Sequence, residues 1–131
     1  MKLMQDNGFS VGVDIERVER FKDIFQKEHS KFLKMIYTKK EINYCFSKSN
    51  PSEHLAARFA GKEAIIKVLS GFGIRVESIL PRDIEILRGV NGRPEVKINL
   101  EGTTNLTIEI SLSHSTKNAI ALASGRRNEQ Q

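Results

Sequence analysis

The amino-acid sequence predicts an α+β fold, with helices mainly in the first half of the chain and an antiparallel sheet built mainly from the second half. Apolar residues recur at helical spacing between residues 16 and 70, together with residues that typically begin and end helices. After residue 83 the apolar residues alternate at a period of two, and Asn91-Gly92 is typical of a hairpin turn. Such segregation of helices and strands along a chain is typical of α+β domains.

Length and composition favour one domain outside the membrane. The chain has 131 residues, no apolar run long enough to cross a membrane and a single cysteine, so we expect a cytoplasmic protein without a disulfide framework. We expect residues 1–8 to be a flexible start, residues 9–124 to form the domain and residues 125–131 to be a polar tail.

The net charge of +5 comes from the first half of the chain. Residues 16–67 hold twelve Lys or Arg against seven Asp or Glu, and the other residues hold nine of each. A basic helical half indicates an acidic protein partner, an anionic cofactor or nucleic acid. The low aromatic content argues against a base-stacking surface for single-stranded nucleic acid, whereas duplex binding stays open on charge alone.

A strand is predicted from Phe9 to Ile15, because apolar residues alternate there with small or polar ones. Asp14 lies on the small-residue face with Gly12, which leaves room for a group to approach its carboxylate. Two interpretations of Asp14 are open at this point, a cap for the following helix or part of a site. That helix is predicted from about Glu16 to Glu28.

A capping box marks the next helix. Residues 32–36 are predicted to lie in a linker, and Thr38 is followed three residues later by Glu41, which is the pattern of an N-terminal capping box. We therefore predict a short helix that ends near Phe46 and is followed by a polar turn.

The longest helix is predicted around residues 55–67. Its boundaries are marked by an N-cap, a first-turn proline, a capping-box acid and a stop, at Asn50, Pro51, Glu53 and Gly71. Small or apolar residues cover so much of its circumference that we expect it to be largely buried. Its charged residues Arg58, Glu63 and Lys67 then need partners or a ligand.

Short strands are predicted in the second half, and the loops between them contain two further candidates. The strands are predicted at residues 83–87, 94–100, 106–113 and 119–123. Gly71 and Gly73 flank Phe72 in a weak phosphate-loop pattern that is usually only a turn. His114 follows Ser113 at the end of a strand, where a loop histidine is the simpler interpretation.

Asp14 and Glu63 are the candidate metal ligands. If the strand and the helix bring them together, their oxygens suit Mg²⁺, which binds one or two protein carboxylates together with phosphate and water oxygens. Lys67 lies one helical turn after Glu63 and could pair with those phosphates, and Arg58 could add a second cation. A surface Glu–Lys pair is the alternative for Glu63 and Lys67. The sequence has no Cys/His cluster suited to zinc.

Seven blocks, in this order, resemble bacterial holo-acyl-carrier-protein synthases, which are 4′-phosphopantetheinyl transferases. The blocks are Val-Gly-Val-Asp14-Ile, Arg20-Phe21, Thr38-x-x-Glu41, Arg58-Phe-Ala-Gly-Lys-Glu63-Ala-x-x-Lys67, Asp83-Ile-Glu-Ile, Asn91-Gly-Arg-Pro94 and Ser111-Leu-Ser-His114. Together they cover residues 9–123 approximately, and the paired blocks around Asp14 and Glu63–Lys67 are more specific in combination than either block alone.

The resemblance implies a reaction and its partners. A serine hydroxyl of apo acyl carrier protein would attack the β-phosphate of coenzyme A, phosphopantetheine would be transferred, and adenosine 3′,5′-bisphosphate would leave. Asp14 and Glu63 would hold Mg²⁺ on the pyrophosphate and Lys67 would pair with phosphate oxygens, while the general base stays open between Glu63 and a metal-ordered water. The same resemblance implies a role in fatty acid and lipid metabolism, a homotrimer with sites between protomers, and no nucleic-acid or membrane partner.

Further positions follow from the same resemblance. The residues expected to border coenzyme A are Arg58, Lys67, Gly71, Gly73, Arg93, Pro94, Ser113 and His114. Those expected to receive the acidic helix of the carrier protein are Arg17, Arg20, Ile24 and Lys27. Two alternatives of other classes are a small basic nucleic-acid-binding module, which rests on net charge alone, and a catalytically silent carrier-protein scaffold, which would require a broken metal pair.

Overall fold

The computed structural model describes residues 8–26 and 30–129 of the chain. These residues form two antiparallel sheets, a three-stranded sheet of order β1-β5-β4 and a hairpin of β2 and β3. The strands are β1 Phe9–Arg17, β2 Ile84–Arg88, β3 Pro94–Ile98, β4 Leu106–His114 and β5 Asn118–Arg127. The helices are α1 Val18–Gln26, α2 Ser30–Ile36, α3 Lys39–Phe46 and α4 Pro51–Gly71, with a 3-10 turn at Pro81–Asp83. The predicted α+β fold is confirmed.

The helix α4 is the centre of the core. It packs along the three-stranded sheet, and most of its side chains are buried, as its apolar circumference predicted. Pro51 begins the helix as predicted, but Asn50 makes no hydrogen bond from its side chain at the N-cap. Gly71 is the last helical residue, and the turn that follows contains Gly73 with a φ of 81°, a conformation that favours glycine.

The strand β1 presents its small-residue face to α4. A Cβ atom on Gly12 would lie 2.2 Å from the carbonyl oxygen of Ala64, so the missing side chain lets the backbone of α4 approach the strand. The space at Gly12, which the sequence attributed to an incoming group, is therefore occupied by α4 itself. The apolar face of β1 points the other way and is exposed, together with neighbouring residues of β5; it comprises Phe9, Val11, Val13, Ile15, Ile120 and Leu122.

Two predictions in the first half are wrong. The first helix begins at Val18 rather than Glu16, because Glu16 and Arg17 continue β1 and pair with Ala119 and Asn118 of β5. Residues 30–36 form α2 rather than a linker, and its Leu33 and Ile36 are buried. The capping box of α3 is confirmed, since Thr38 Oγ1 accepts from the Glu41 amide and Glu41 accepts from the Thr38 amide.

The C-terminal boundary also differs from the prediction. We expected a polar tail from Gly125, but β5 pairs through Arg127, and Gly125 is buried against Val68, Ile108 and Phe72. A glycine on the inner face thus belongs to the packed sheet, and the ordered strand includes the two arginines that follow it. In the described ranges, no helix combines the length and apolar character that a membrane span requires.

Candidate functional site

Asp14, Glu63 and Lys67 meet between β1 and α4. The inward face of β1 directs Asp14 towards α4, where Lys67 Nζ lies 3.7 Å from Asp14 Oδ1 and donates a 2.7 Å hydrogen bond to the carbonyl of Val13. Burial raises the pKa of Glu63, the nearby charge of Asp14 raises it further, and Lys67 opposes this shift. The two carboxylates that the sequence paired are therefore close enough in space to influence each other.

The oxygens of this group fit a hard cation. Asp14 Oδ2 is buried and has no hydrogen-bond partner among the described residues, and a buried carboxylate oxygen without a donor favours a bound cation. The described part of the chain contains no group of three or more His, Cys, Asp or Glu residues arranged to hold a metal. A cation here would thus need additional oxygens from phosphate and water, which is the usual coordination of Mg²⁺.

Glu16 is a third carboxylate that sequence reasoning missed. It follows Asp14 by two residues on the inner face of β1, is 9% exposed, and accepts a 2.9 Å hydrogen bond from Arg20 Nη1. Its pKa is raised to about 7, mainly by burial and then by the neighbouring carboxylate of Asp14, whereas Arg20 lowers it. The alternation along β1 continues to Glu16 and indicates its inward position, but the sequence predicts that Glu16 begins the first helix.

A second group of residues forms a cationic pocket on the other side of α4. The cavity has a volume of about 260 Å³ and is lined by Tyr44, His54, Ala57, Arg58, Arg88, Gly92, Pro94, Leu112 and His114. Arg58 is 5% exposed; its Nε donates to the carbonyl of Ile86 at 3.1 Å, and its guanidinium lies 4.3 Å from the ring centroid of Tyr44. Arg58 forms no salt bridge with a carboxylate in the described ranges, which favours an anionic ligand.

Histidines form one wall of this pocket. His114 Nδ1 lies 3.0 Å from Glu53 Oε1, so Glu53 contacts the end of β4 instead of closing a capping box. The ring of His54 packs edge-on against Tyr44 and against His114, with centroid distances of 5.9 and 5.1 Å. Neither His54 nor Tyr44 carried a sequence signal, because each only looks like part of a helix until the fold places both beside Arg58.

The other residues expected to border coenzyme A are more dispersed. Pro94 and His114 line the pocket. Arg93 and Ser113, which precede them in sequence, are exposed and do not line it. Gly71 packs closely on β1, because a Cβ atom there would lie 2.1 Å from Ser10 Oγ. Gly73 is exposed and has open space around its Cα.

The basic residues expected to bind a carrier protein lie at and after the end of β1. Arg17 and Arg20 are exposed. Arg20 forms a salt bridge with Glu16, which follows Asp14 on the inner face of β1. Ile24 lies within α1, and Lys27 lies outside the described residues.

A buried ion pair next to Glu63 was also missed. Lys62 and Glu41 are both 0% exposed, and Lys62 Nζ lies 2.8 Å from Glu41 Oε1. Lys62 also donates to the carbonyls of Pro81 and Ile84, and Glu41 accepts from the Ile86 amide at 2.8 Å. The pair therefore joins α3 and α4 to β2. The sequence pattern indicates only the capping-box role of Glu41 and gives no sign of its ion pair with Lys62.

Known proteins with related sequences show the family to which the chain belongs. The model of the 4′-phosphopantetheinyl transferase superfamily matches residues 10–123. A holo-[acyl-carrier-protein] synthase of Thermodesulfovibrio yellowstonii is 46% identical over 111 residues, which cover 85% of this chain and 92% of the relative. One from Aquifex aeolicus is 40% identical over 118 residues, covering 86% and 94%.

Solved structures are similar over almost the whole chain. The ACPS-CoA complex of Chronobacterium ammoniagenes has a TM-score of 0.77 and 26% identity, covering 92% of this chain and 98% of that one. The acyl carrier protein synthase of Mycobacterium tuberculosis has a TM-score of 0.71 and 30% identity, covering 90% and 96%. With a matching family model and close relatives over most of its length, this chain belongs to the holo-acyl-carrier-protein synthases of the 4′-phosphopantetheinyl transferase superfamily.

Proposed function

We propose that this protein transfers the 4′-phosphopantetheine group of coenzyme A to a serine of apo acyl carrier protein. The serine hydroxyl gives its proton to a base, which is either Glu63 or a water, and its oxygen forms a bond to the β-phosphorus. The bond from that phosphorus to the bridging oxygen breaks, and adenosine 3′,5′-bisphosphate leaves with the electron pair of that bond. The observation that carries the proposal is the group of Asp14, Glu63 and Lys67 in a chain of this family. Its two carboxylates lie close enough to influence each other, one of them has a buried oxygen without a donor among the described residues, and a cation lies one helical turn after Glu63.

The residues suit phosphoryl transfer, in which positioning and charge neutralisation do most of the catalysis. Asp14 and Glu63 would hold Mg²⁺, which when bound would neutralise charge on the pyrophosphate. Among the described residues Lys67 Nζ contacts Val13 and Asp14 alone, and the side chain is 55% exposed, so its ammonium can turn towards a phosphate. Lys67 thus supplies a positive charge to a phosphate oxygen that becomes more negative as the leaving group departs.

The cationic pocket is our candidate for the nucleotide end of coenzyme A. Arg58 is a buried cation that forms no salt bridge with any carboxylate the structure describes. It lines the pocket with Arg88 and His114, and the lining also includes the apolar Pro94 and Leu112. Charged and apolar lining together suit a phosphorylated nucleoside. Arg93, Gly71, Gly73 and Ser113 remain predicted contacts of the ligand.

The exposed end of β1 and the first helix are our candidate surface for the carrier protein. Arg17 and Arg20 would pair with its acidic helix, and Ile24 and Lys27 remain predicted contacts. Complementary charge of this kind raises the rate of encounter more than it raises affinity. The partner in this proposal is therefore an acidic protein rather than nucleic acid.

We further propose a homotrimer, in which each site combines residues from two protomers. Arg58 and Glu63 are five residues apart on α4, which puts them about 140° apart around the helix axis. One chain therefore presents the cationic pocket and the carboxylates of Asp14 and Glu63 on different sides of the helix. The exposed apolar face of β1 and β5 gives a surface for association: Val11 is 57% exposed and Leu122 52%. Assembly through this face would bring the two half-sites of neighbouring protomers together. We also propose a cytoplasmic location.

The transfer itself is tested by mass. The protein is incubated with coenzyme A, Mg²⁺ and a panel of apo acyl carrier proteins, and the intact mass of each carrier protein is measured. We expect a mass increase equal to one phosphopantetheine on at least one carrier protein, lost when Mg²⁺ is removed with EDTA. No mass increase on any member of the panel would refute the proposal.

A further inference from the structure

His54 occupies a position that no part of the proposed function uses. It lies on α4 one turn before Arg58 and lines the cationic pocket. Its ring is held by edge-on contacts to Tyr44 of α3 and to His114 of β4, so its position is fixed by three elements of the fold. A half-buried imidazole fixed beside a buried guanidinium is well placed to contact an anion that enters the pocket.

The surroundings of His54 are cationic on several sides. Lys48 follows α3, Arg58 lies on α4, His114 lies on β4, and Arg88 of β2 lines the same cavity. Glu53 is the one carboxylate among the groups that shift the pKa of His54, and its Oε1 lies 3.0 Å from His114 Nδ1. Burial lowers the pKa of His54, the positive groups lower it further, and Glu53 opposes this. The imidazole is thus kept neutral while the pocket is empty at neutral pH.

An anion in the pocket reverses this balance, and the kind of phosphate matters. The pyrophosphate of coenzyme A is a diester with no proton to exchange near neutral pH, whereas its 3′-phosphate is a monoester with a second pKa near 6 and therefore mostly a dianion at pH 7. A dianion beside His54 favours the imidazolium, which then donates a charge-assisted hydrogen bond that a neutral ring cannot match.

We propose that His54 determines the preference of this pocket for a phosphate monoester dianion, the 3′-phosphate in coenzyme A, over nucleotides that lack it. This inference rests on the proposed function, because it places the nucleotide end of coenzyme A in the pocket. His54 acts together with Arg58. The arginine supplies a permanent charge for any anion, and the histidine takes up a proton when the ligand is a dianion and so adds the discrimination.

The linkage has a defined sign. Because His54 is neutral in the free protein and charged in the complex, binding takes up as much as about one proton between the two pKa values of the imidazole. Affinity for the dianion therefore increases as pH falls from 8.5 towards 7. Below the second pKa of the phosphate this increase in affinity disappears, since the ligand loses its second negative charge.

Isothermal titration calorimetry of the intact protein tests this. Adenosine 3′,5′-bisphosphate and dephospho-coenzyme A, whose pyrophosphate is a diester and which carries no phosphate monoester, are titrated at several pH values from 6 to 8.5. Each titration is done in two buffers of different ionisation enthalpy, which gives the number of protons taken up. For the wild-type protein we expect proton uptake and tighter binding of the bisphosphate. His54→Phe retains a ring for the contacts with Tyr44 and His114, and it should lose the uptake and about ten- to a hundredfold of the preference for the bisphosphate, as expected for a lost hydrogen bond to a charged group.

The control variant is Asn43→Ala, at an exposed residue of α3 that does not line the pocket, and it should retain the proton uptake. Uptake that persists in His54→Phe, or an unchanged preference in that variant, would overturn the inference while leaving the transferase proposal intact. No bisphosphate binding by the wild-type protein would overturn both the inference and the assignment of the pocket, whereas the mass assay for transfer would still test the reaction separately.

Discussion

Replacing Lys62 with methionine tests how much the buried ion pair of Lys62 and Glu41 contributes to stability. The change removes a fully buried ammonium that lies 2.8 Å from Glu41 Oε1 and bonds the carbonyls of Pro81 and Ile84. Glu41 then keeps its hydrogen bonds from the amides of Thr38 and Ile86, but its charge is buried without a counter-ion. Breaking a buried ion pair in this way costs about 3–5 kcal/mol, so Lys62→Met should lose a large share of the stability of a domain of this size.

The magnitude is checked by urea unfolding without ligands, because ligand binding would raise the apparent stability. A loss of about 3–5 kcal/mol corresponds to a decrease in Tm of about 10–20 °C for a chain of this length. The double variant Lys62→Met/Glu41→Gln, which removes both charges, should be more stable than the sum of the two single effects predicts, by about 2 kcal/mol or more. Lys40→Met on exposed α3 surface is the control and should change stability by less than about 0.5 kcal/mol. A loss below about 1 kcal/mol in Lys62→Met, or simple additivity in the double variant, would refute the reasoning.

Three further predictions concern the strand β1 and the assembly. Gly12→Ala should destabilise the protein by about 1–3 kcal/mol in thermal unfolding, because its Cβ would lie 2.2 Å from a backbone oxygen of α4, and an unchanged Tm would contradict this close approach. The pKa of Glu16 is raised from 4.5 to about 7, so the native state holds this proton more tightly, and the wild-type protein should lose up to about 3 kcal/mol of stability as pH rises through that range. Glu16→Gln, measured in EDTA, should lack this pH-dependent loss of stability, and parallel stability profiles of the two proteins against pH would contradict the assignment. Arg58→Met and Glu63→Gln proteins, inactive alone, should regain about a quarter of the wild-type activity when co-refolded at equal amounts, because a site between protomers needs one intact residue from each neighbour; no recovery would argue against shared sites.

Sequence patterns predicted the elements whose rules are local. The capping box of Thr38 and Glu41, the hairpin at Asn91-Gly92 and the buried circumference of α4 all depend on residues a few positions apart, and the structure confirms each of them. The boundary between β1 and α1 was wrong because it depends on a partner far away in sequence, since β5 pairs with β1 as far as Arg17. Strand pairing overrode the helical preference of Glu16.

The candidate site shows the same limit. Asp14, Glu63 and Lys67 could be proposed from sequence because two of them share a helix face and the third stands on a strand of small residues. The pocket around Arg58 combines residues from α3, α4, β2 and β4, so Tyr44 and His54 become candidates only when the fold places them together. The role of Gly12 was also hidden, because no local pattern tells whether a glycine makes room for a ligand or for a neighbouring helix.

The central claim is that Asp14 and Glu63 act together on the pyrophosphate of coenzyme A. The most direct measurement is the intact mass of an acyl carrier protein after incubation with coenzyme A, Mg²⁺ and either the wild-type protein or Glu63→Gln, with Glu77→Gln as an exposed control of the same chemistry. We predict phosphopantetheine addition by the wild-type and Glu77→Gln proteins and, at matched thermal stability, a loss of at least about a thousandfold in rate for Glu63→Gln, as expected when a preorganised electrostatic group of a phosphoryl-transfer site is removed. A Glu63→Gln protein that modifies the carrier protein at the wild-type rate would contradict the claim.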